Sequence, residues 1–427
     1  MSRRAVTGSP VSLQQAAQSL RARGVPFAAL VSAAARAGLG RRSLLATALT
    51  PVELEASNLA RLRGSGREAY RRALQAEWRT ATQRAFASGA KGVLVLVSHE
   101  AAELFDDFAT HEPWLNLPRI QLWAAFELAE FEAGEPWVSH SVERLPLNPL
   151  WDASTHASAL QEVQAAIAAG ELYQACLTYP IKTPVPTDPG QLFARWLMEQ
   201  PVDHAAWVHL PRVVAQVDPH IELSDFELLC CSPERFFSLR AGEVFVQPMK
   251  GTRAIPAGAQ PEQVAAIAQA LATSSKDRAE NIMIVDLMRN DLGRVCRPGS
   301  VKLEALCQVD TYASVAQMTS TVVGQLEQAR DIWDVLAACF PPGSMTGAPK
   351  IEATRWIRQL ESGPRGMYGG ALGWLEPNGD AEFNVVIRSL QCYRGQARWD
   401  VGGGIVADST VGEEWEETRA KAALLSG

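Results

Sequence analysis

The segments Ser232-Pro233-Glu234-Arg235-Phe236 and Gln247-Pro248-Met249-Lys250-Gly251-Thr252-Arg253, with the strand-forming run Val244-Phe245-Val246 between them, decide how this chain is read. Each sets a chemically useful side chain, Glu234 or Lys250, beside a turn-forming Pro or Gly. No histidine follows His220. Beyond that point, proton transfer and nucleophilic attack fall to Glu, Asp, Lys, Tyr or Cys. A Ser-His-Asp triad would need one of the earlier histidines.

Working outward, 427 residues with 47% apolar and 20% charged content describe an ordinary folded protein with ample material for a core. A net charge of −7 and no basic stripe argue against nucleic acid as a partner. The seven cysteines are scattered and never form a C-x-x-C pair, which suggests neither a disulfide framework nor zinc. That usage points to a reducing, cytoplasmic setting. Met1-Ser2-Arg3-Arg4 precedes no apolar run of signal length, and no membrane span is expected. Residues 1–150 are Ala- and Arg-rich, with a helical stretch over Arg67–Ala87 and one strand-like run, Val93–Val97. A Pro-rich turn at Leu145–Pro149 and a helix over His156–Ala169 stopping at Gly170 mark a soft boundary. Residues 151–427 then alternate short strands (Leu172–Leu177, Ala206–Leu210, Val244–Val246, Gly370–Leu375, Phe383–Leu390) with helices over Pro261–Ala272, Ser275–Arg289, Trp333–Cys339, Pro349–Leu360 and Gly412–Leu425. That alternation reads as a mixed sheet with outer helices.

Further patterns carry chemistry. Asp277 and Glu280, and again Glu414 and Glu417, stand three apart on acidic helices, so each pair presents two carboxylates in one direction. Two such pairs facing each other would suit Mg²⁺, which takes oxygen ligands; solvated faces are the alternative. Gly402-Gly403-Gly404 reads either as a backbone cradle for an anion or as a tight turn from strand to helix. Gly343-Ser344-Met345-Thr346-Gly347-Ala348-Pro349-Lys350 lacks the spacing of a Walker loop. It remains a loop whose free N–H groups could hold a small anion, with Pro349 suited to the first turn of a helix. Lysines are ordinarily solvated, and a nucleophilic role for Lys250 needs desolvation or a neighbouring cation. Glu234 needs apolar surroundings to stay protonated as a general acid.

Together with Asp277-Arg278-Ala279-Glu280-Asn281 and Val285–Asp291, these ordered motifs make residues 160–425 resemble the chorismate-utilising enzymes, most closely the branch that forms aminodeoxychorismate. The resemblance implies an α+β fold of two packed antiparallel β-sheets with outer helices, residues 1–150 being a divergent part of that fold and 151–427 its chorismate-binding catalytic region. It implies Mg²⁺ held by Glu280 and Glu417, with Asp277 and Glu414 completing the acidic cluster. Chorismate would meet Gly251, Thr252, Ser344, Tyr368, Arg388, Gly403, Gly404 and Lys421. In this branch a lysine at the place of Lys250 adds at ring C2 while Glu234 protonates the departing C4 hydroxyl, and ammonia then enters at C4. Anthranilate-forming relatives, the alternative along with a non-catalytic chorismate-binding subunit, carry Ala at Lys250 and tend to have a histidine at Gln317. Isochorismate-forming relatives place a water-activating lysine where this chain has Gln174.

The chain departs from the pattern at Cys176, where the family usually has Asn, and lacks a convincing inhibitor-binding motif in its first 150 residues. None of its cysteines sits in a Gly-x-Cys-x-Gly-Gln loop. The resemblance therefore implies ammonia from a separate glutamine amidotransferase subunit in a heterodimer, and a downstream aminodeoxychorismate lyase that completes 4-aminobenzoate for folate biosynthesis.

Overall fold

The computed structural model describes residues 11–33, 42–52, 54, 66–140, 144–213, 224–256, 258–312 and 315–426; Met1–Arg4 and His220 lie outside them. Among the described residues, eighteen strands join into one hydrogen-bonded run, and every named pairing in it is antiparallel. From one end, Val315–Gln325 pairs with Lys302–Thr311, Met249–Ala254 and Glu243–Val246. The run continues through Arg235–Arg240, Ala381–Val385, Ala371–Leu375, Gly92–Val97, Ile120–Glu132, Arg42–Pro51 and Phe27–Val31. It ends through His204–Val213, Ser224–Ser232, Ser389–Tyr393, Gln396–Ile405 and Gln174–Thr183. The mixed sheet expected from the alternation is thus replaced by an antiparallel one. The intervening helices return the chain to antiparallel neighbours far away in sequence instead of serving as parallel crossovers.

Side-chain alternation shows how the run folds over. Leu94 and Leu96 lie in an inner core with Ala206, Val208, Phe226, Leu228, Leu372 and Val386, whereas Val93, Val95 and Val97 face an outer core shared with helices. Trp207 and Leu229 likewise point away from the inner core, into a second outer core with the helices Leu13–Ala22, Ala153–Ala168 and Pro189–Glu199. Since successive strand residues face opposite sides, the two halves of the run are packed sheets with helices outside, the α+β architecture expected from the resemblance. Four strands in residues 11–150 escape periodicity: Phe27–Val31, Arg42–Pro51, Ile120–Glu132 and the two-residue Asn148–Pro149. The predicted strand Phe383–Leu390 is two strands, because Arg388 adopts φ 48° and turns the chain between Val385 and Ser389.

Helices start where polar caps allow. Asp152 Oδ1 accepts the Thr155 N–H at 2.8 Å to open Ala153–Ala168, and Ser274 Oγ accepts the Asp277 N–H at 3.3 Å to open Ser275–Gly293. Each such cap contributes about 1 kcal/mol. Arg79, on the helix Arg67–Ala87, reaches Asp331 at 2.6 Å and Asp334 at 2.7 Å, tying that helix to the capping box of Ile332–Cys339.

One buried ion pair organises the region beneath the glycine-rich strand. Arg365 lies 2.6 Å from Glu361, with side-chain exposures of only 2% and 4%. Its Nη1 donates to Met345 O at 2.6 Å and its Nη2 to Cys176 O at 2.8 Å, while Glu361 accepts the Thr178 N–H at 2.9 Å. Removing one partner of such a pair strands the other charge out of water. Arg365→Met is expected to lower unfolding free energy in urea by about 3–5 kcal/mol. Arg419→Ala, at the exposed pair with Glu416, should cost at most about 1 kcal/mol; equal losses would sink the clamp's special role.

Candidate active site

Five segments converge. The strand Gln396–Ile405 carries Gly402, Gly403 and Gly404 opposite Thr178, Leu177 and Cys176 of Gln174–Thr183. The three glycines are therefore strand residues, which removes the tight-turn alternative. What they share is lack of room. A Cβ on Gly402 would lie 2.2 Å from Leu177 O, one on Gly403 2.9 Å from Glu414 Oε2, and one on Gly404 2.3 Å from Gln174 Nε2 and 3.2 Å from Lys250 Nζ. The glycine strand is a floor onto which acidic, amide and ammonium groups are lowered.

Lys250 projects from the strand Met249–Ala254. Its positive charge helps hold down the carboxyl pKa of Glu234, Glu280 and Glu417 and the thiol pKa of Cys176, so it stands amid all four. Glu234 is buried, and burial raises its pKa above the ordinary carboxylate range, opposed by the Ser344 hydrogen bond and by the charges of Lys250 and Arg388. Ser344 Oγ donates to Glu234 Oε1 at 2.6 Å. A carboxyl whose pKa burial raises therefore lies within the electrostatic reach of Lys250. Gln174 is fully buried next to Lys250 and Gly404, and neither its amide oxygen nor its amide nitrogen has a partner.

The two acidic helices do face each other, through Glu280 on Ser275–Gly293 and Glu414 on Val411–Ser426. Burial raises the Glu280 pKa, Lys250 and Lys276 oppose it, and Asp277 and Glu414 push it further up. Burial likewise raises that of Glu414, with the Ser409 hydrogen bond opposing and Glu417 adding to it. Glu414 Oε1 accepts from Ser409 Oγ at 2.7 Å, while its buried Oε2 has no partner. Glu417 is held below the ordinary range: burial pushes up, and Lys421 at 2.6 Å outweighs it. Lys421 also donates to Gly402 O at 2.6 Å. Asp277 turns instead to Arg253 at 2.6 Å, against Gly251. Among the described residues no three His, Cys, Asp or Glu side chains converge closely enough to enclose a metal unaided.

The remaining expected contacts are dispersed around this centre. Gly251 has φ 86°, and Thr252 Oγ1 accepts from Gln317 Nε2 at 3.5 Å. Tyr368 is buried, which drives its phenol pKa well up; the neighbouring Cys176 adds to this. Arg388 donates from Nη1 to Gln200 Oε1 at 2.6 Å. The Gly343–Ala348 loop is buried, with Gly347 and Ala348 bridged to Ala175 and Gln174, so it is a wall of the site and not an open anion loop. Pro349 is the N-cap of Lys350–Leu360, one place before the predicted first turn. Lys350 is buried against Asp291 at 2.7 Å. Sequence reasoning passed over Glu361, Arg365, Ser409 and Gln200, which act on backbone or on other side chains and carry no spacing signal.

The glycine floor makes a prediction. Gly402→Ala meets backbone and should cost about 1–3 kcal/mol of stability. Gly404→Ala meets only the ends of Gln174 and Lys250, so turnover should fall far more than the melting temperature; normal turnover would refute this placement of Lys250.

Among the described residues no helix is long and apolar enough to cross a membrane. A sequence profile of chorismate binding enzymes matches residues 132–427. The chain is 41% identical over 263 residues to an aminodeoxychorismate synthase of Streptomyces griseus, covering 61% of this chain and 34% of that protein. It is 34% identical over 324 residues to aminodeoxychorismate synthase component 1 of Klebsiella aerogenes, covering 76% of this chain and 66% of that one. To anthranilate synthase component 1 of Mycobacterium bovis it is 35% identical over 256 residues, 60% of this chain and 48% of the other. The chain thus spans 34% and 35% of the Streptomyces relatives' length and 53% to 66% of the component 1 synthases from Bacillus subtilis and Klebsiella. Its fold is that of anthranilate synthase component I from Streptococcus pneumoniae, with TM-score 0.67 at 23% identity over 79% of this chain and 81% of that one. It is also that of the menaquinone-specific isochorismate synthase from Escherichia coli, with TM-score 0.69 at 15% identity over 98% and 91%. With its motifs on one floor and the profile running through most of its length, the chain belongs to the family of chorismate binding enzymes.

Proposed function

We propose that this chain aminates chorismate at C4, forming 4-amino-4-deoxychorismate with ammonia delivered by a separate glutamine amidotransferase subunit. The observation that carries the reading is Lys250 poised over Gly404 within the electrostatic reach of a buried Glu234, whose carboxyl pKa burial raises. After Lys250 gives its ammonium proton to solvent, its Nζ forms a bond to ring C2 as the C4–O bond breaks, and Glu234 gives its proton to the departing hydroxyl, which leaves as water. Ammonia then bonds to C4, the C2–N bond to Lys250 breaks, and a proton from the incoming amine returns to Glu234. The balance is chorismate plus ammonia to the amino product plus water. Gln174 carries no basic group, so activation of water for attack at C2 has no agent there. Arg388, Lys421, Tyr368, Ser344 and the Gly251–Thr252 turn would meet the substrate's carboxylates and enol-ether side chain.

The acidic cluster fits Mg²⁺. Its donors are hard carboxylate oxygens, Glu414 Oε2 is buried without a partner, and Glu280 and Glu414 repel each other. Mg²⁺ takes one or two carboxylates and completes its shell with water and substrate oxygens, which accords with an incomplete protein cage. Glu280 and Glu417 would hold it, with Glu414 and Asp277 completing the cluster through water. When bound, the ion would draw charge from the ring and orient it. The same reading places the reaction in the cytoplasm, in 4-aminobenzoate and folate biosynthesis, ahead of an aminodeoxychorismate lyase.

Mass spectrometry of the product from chorismate, Mg²⁺ and excess ammonium tests this. A product with NH₂ in place of OH, converted to 4-aminobenzoate by added lyase and lost in Lys250→Ala, is expected; anthranilate, or activity surviving in Lys250→Ala, would overturn the reading. The pH profile gives a second check. The Ser344 hydroxyl favours ionised Glu234, so its loss leaves the acid protonated to higher pH. Ser344→Ala should move the alkaline limb of kcat upward, free ammonia being held constant. A limb that stays or moves down would remove Glu234 as the acid.

A further inference from the structure

Arg388 is held by an unusual partner. Its backbone is set at φ 48° between two strands, and its carbonyl accepts the Cys231 N–H at 3.0 Å. Its Nη1 donates to Gln200 Oε1 at 2.6 Å. Gln200 is the C-cap of Pro189–Glu199, its own N–H bonded to Trp196 O at 2.8 Å. Phe193 and Trp196 anchor that helix in the core, so the amide is presented from a fixed support. Arg388 forms no ion pair with any of the described residues, and Glu234 lies within its electrostatic reach. A guanidinium in such a place would ordinarily recruit a carboxylate. Here the acceptor is neutral, which fixes orientation and leaves the positive charge unspent.

We propose that Gln200 is a positioning residue for substrate: it aims the Arg388 guanidinium into the site with a charge-free hydrogen bond, so that the full charge is offered to a carboxylate of chorismate. This rests on the reading of Arg388 as a chorismate contact and adds the residue that keeps that contact charged. Glutamate at position 200 would hold the same geometry but neutralise the arginine, while methionine would keep the volume and release the orientation.

Isothermal titration of chorismate in the presence of Mg²⁺ and without ammonia separates these effects, beside thermal melting and steady-state kinetics. Gln200→Glu should weaken chorismate binding about tenfold, as expected when one carboxylate displaces another from a charged hydrogen bond. It should raise KM more than it lowers kcat and leave the melting temperature equal or higher, because an ion pair replaces a neutral bond. Gln200→Met should weaken binding by a smaller factor. A merely structural Gln200 would instead lose melting temperature and affinity together in both variants, and that result overturns the proposal. So does Gln200→Glu binding within twofold of the parent. Because binding is read without turnover, the identity of the aminated product does not enter; a parent that fails to bind chorismate would end this proposal and the functional reading together.

Discussion

Arg365 is charged and almost wholly removed from water, so its rigid fork of donors has to be met within the protein. That requirement reaches across the site. Four hydrogen bonds from the guanidinium engage Glu361, Met345 O and Cys176 O, two of them on Glu361, and Glu361 in turn holds the N–H and hydroxyl of Thr178. The strand beneath the glycine floor, the loop carrying Ser344 and the helix ending at Leu360 are thereby referred to a single planar group. Shift it, and Ser344 no longer sits where it meets Glu234. The residues that would do chemistry are held in place by one that touches none of it.

Around that anchor, polar groups are left deliberately unfinished. Both polar atoms of Gln174 and one oxygen of Glu414 are buried without partners, an arrangement that costs stability wherever nothing binds. These lie against the glycine strand, Gln174 at Gly404 and Glu414 at Gly403, although both ring nitrogens of His156 and the Tyr393 hydroxyl are also buried without hydrogen-bond partners. Elsewhere the buried charges are matched, as at Lys350 with Asp291 and Arg398 with Asp400.

Much of this was legible in the sequence, and the failures have physical causes. Glu234 and Lys250 stood out because a turn-forming neighbour accompanies each, and the helix Arg67–Ala87 was read to the residue. The facing of Glu280 and Glu414 could not be read, since apposition of two helices is set by the sheet between them. Asp277 looked equivalent to Glu280 by spacing, yet Arg253 from a neighbouring strand takes it. Gly402, Gly403 and Gly404 looked like a turn because glycine is usually needed for its backbone freedom. Here none of the three has a positive φ, and it is the missing side chain that matters. The early strands were hidden by an Ala-rich composition that suits helix as well as strand, and by both-face burial that erases alternation in Phe27–Val31.

The order of the strands has a consequence for synthesis. Gly92–Val97, apolar and buried on both faces, pairs on one side with Ile120–Glu132, made soon afterwards, and on the other with Ala371–Leu375, made near the end. While the ribosome works through the intervening sequence, one edge of this strand has neither partner nor charge to protect it. Such an edge is the kind of surface that captures other chains. The demand on cellular chaperones would therefore fall in the interval before residue 375 emerges.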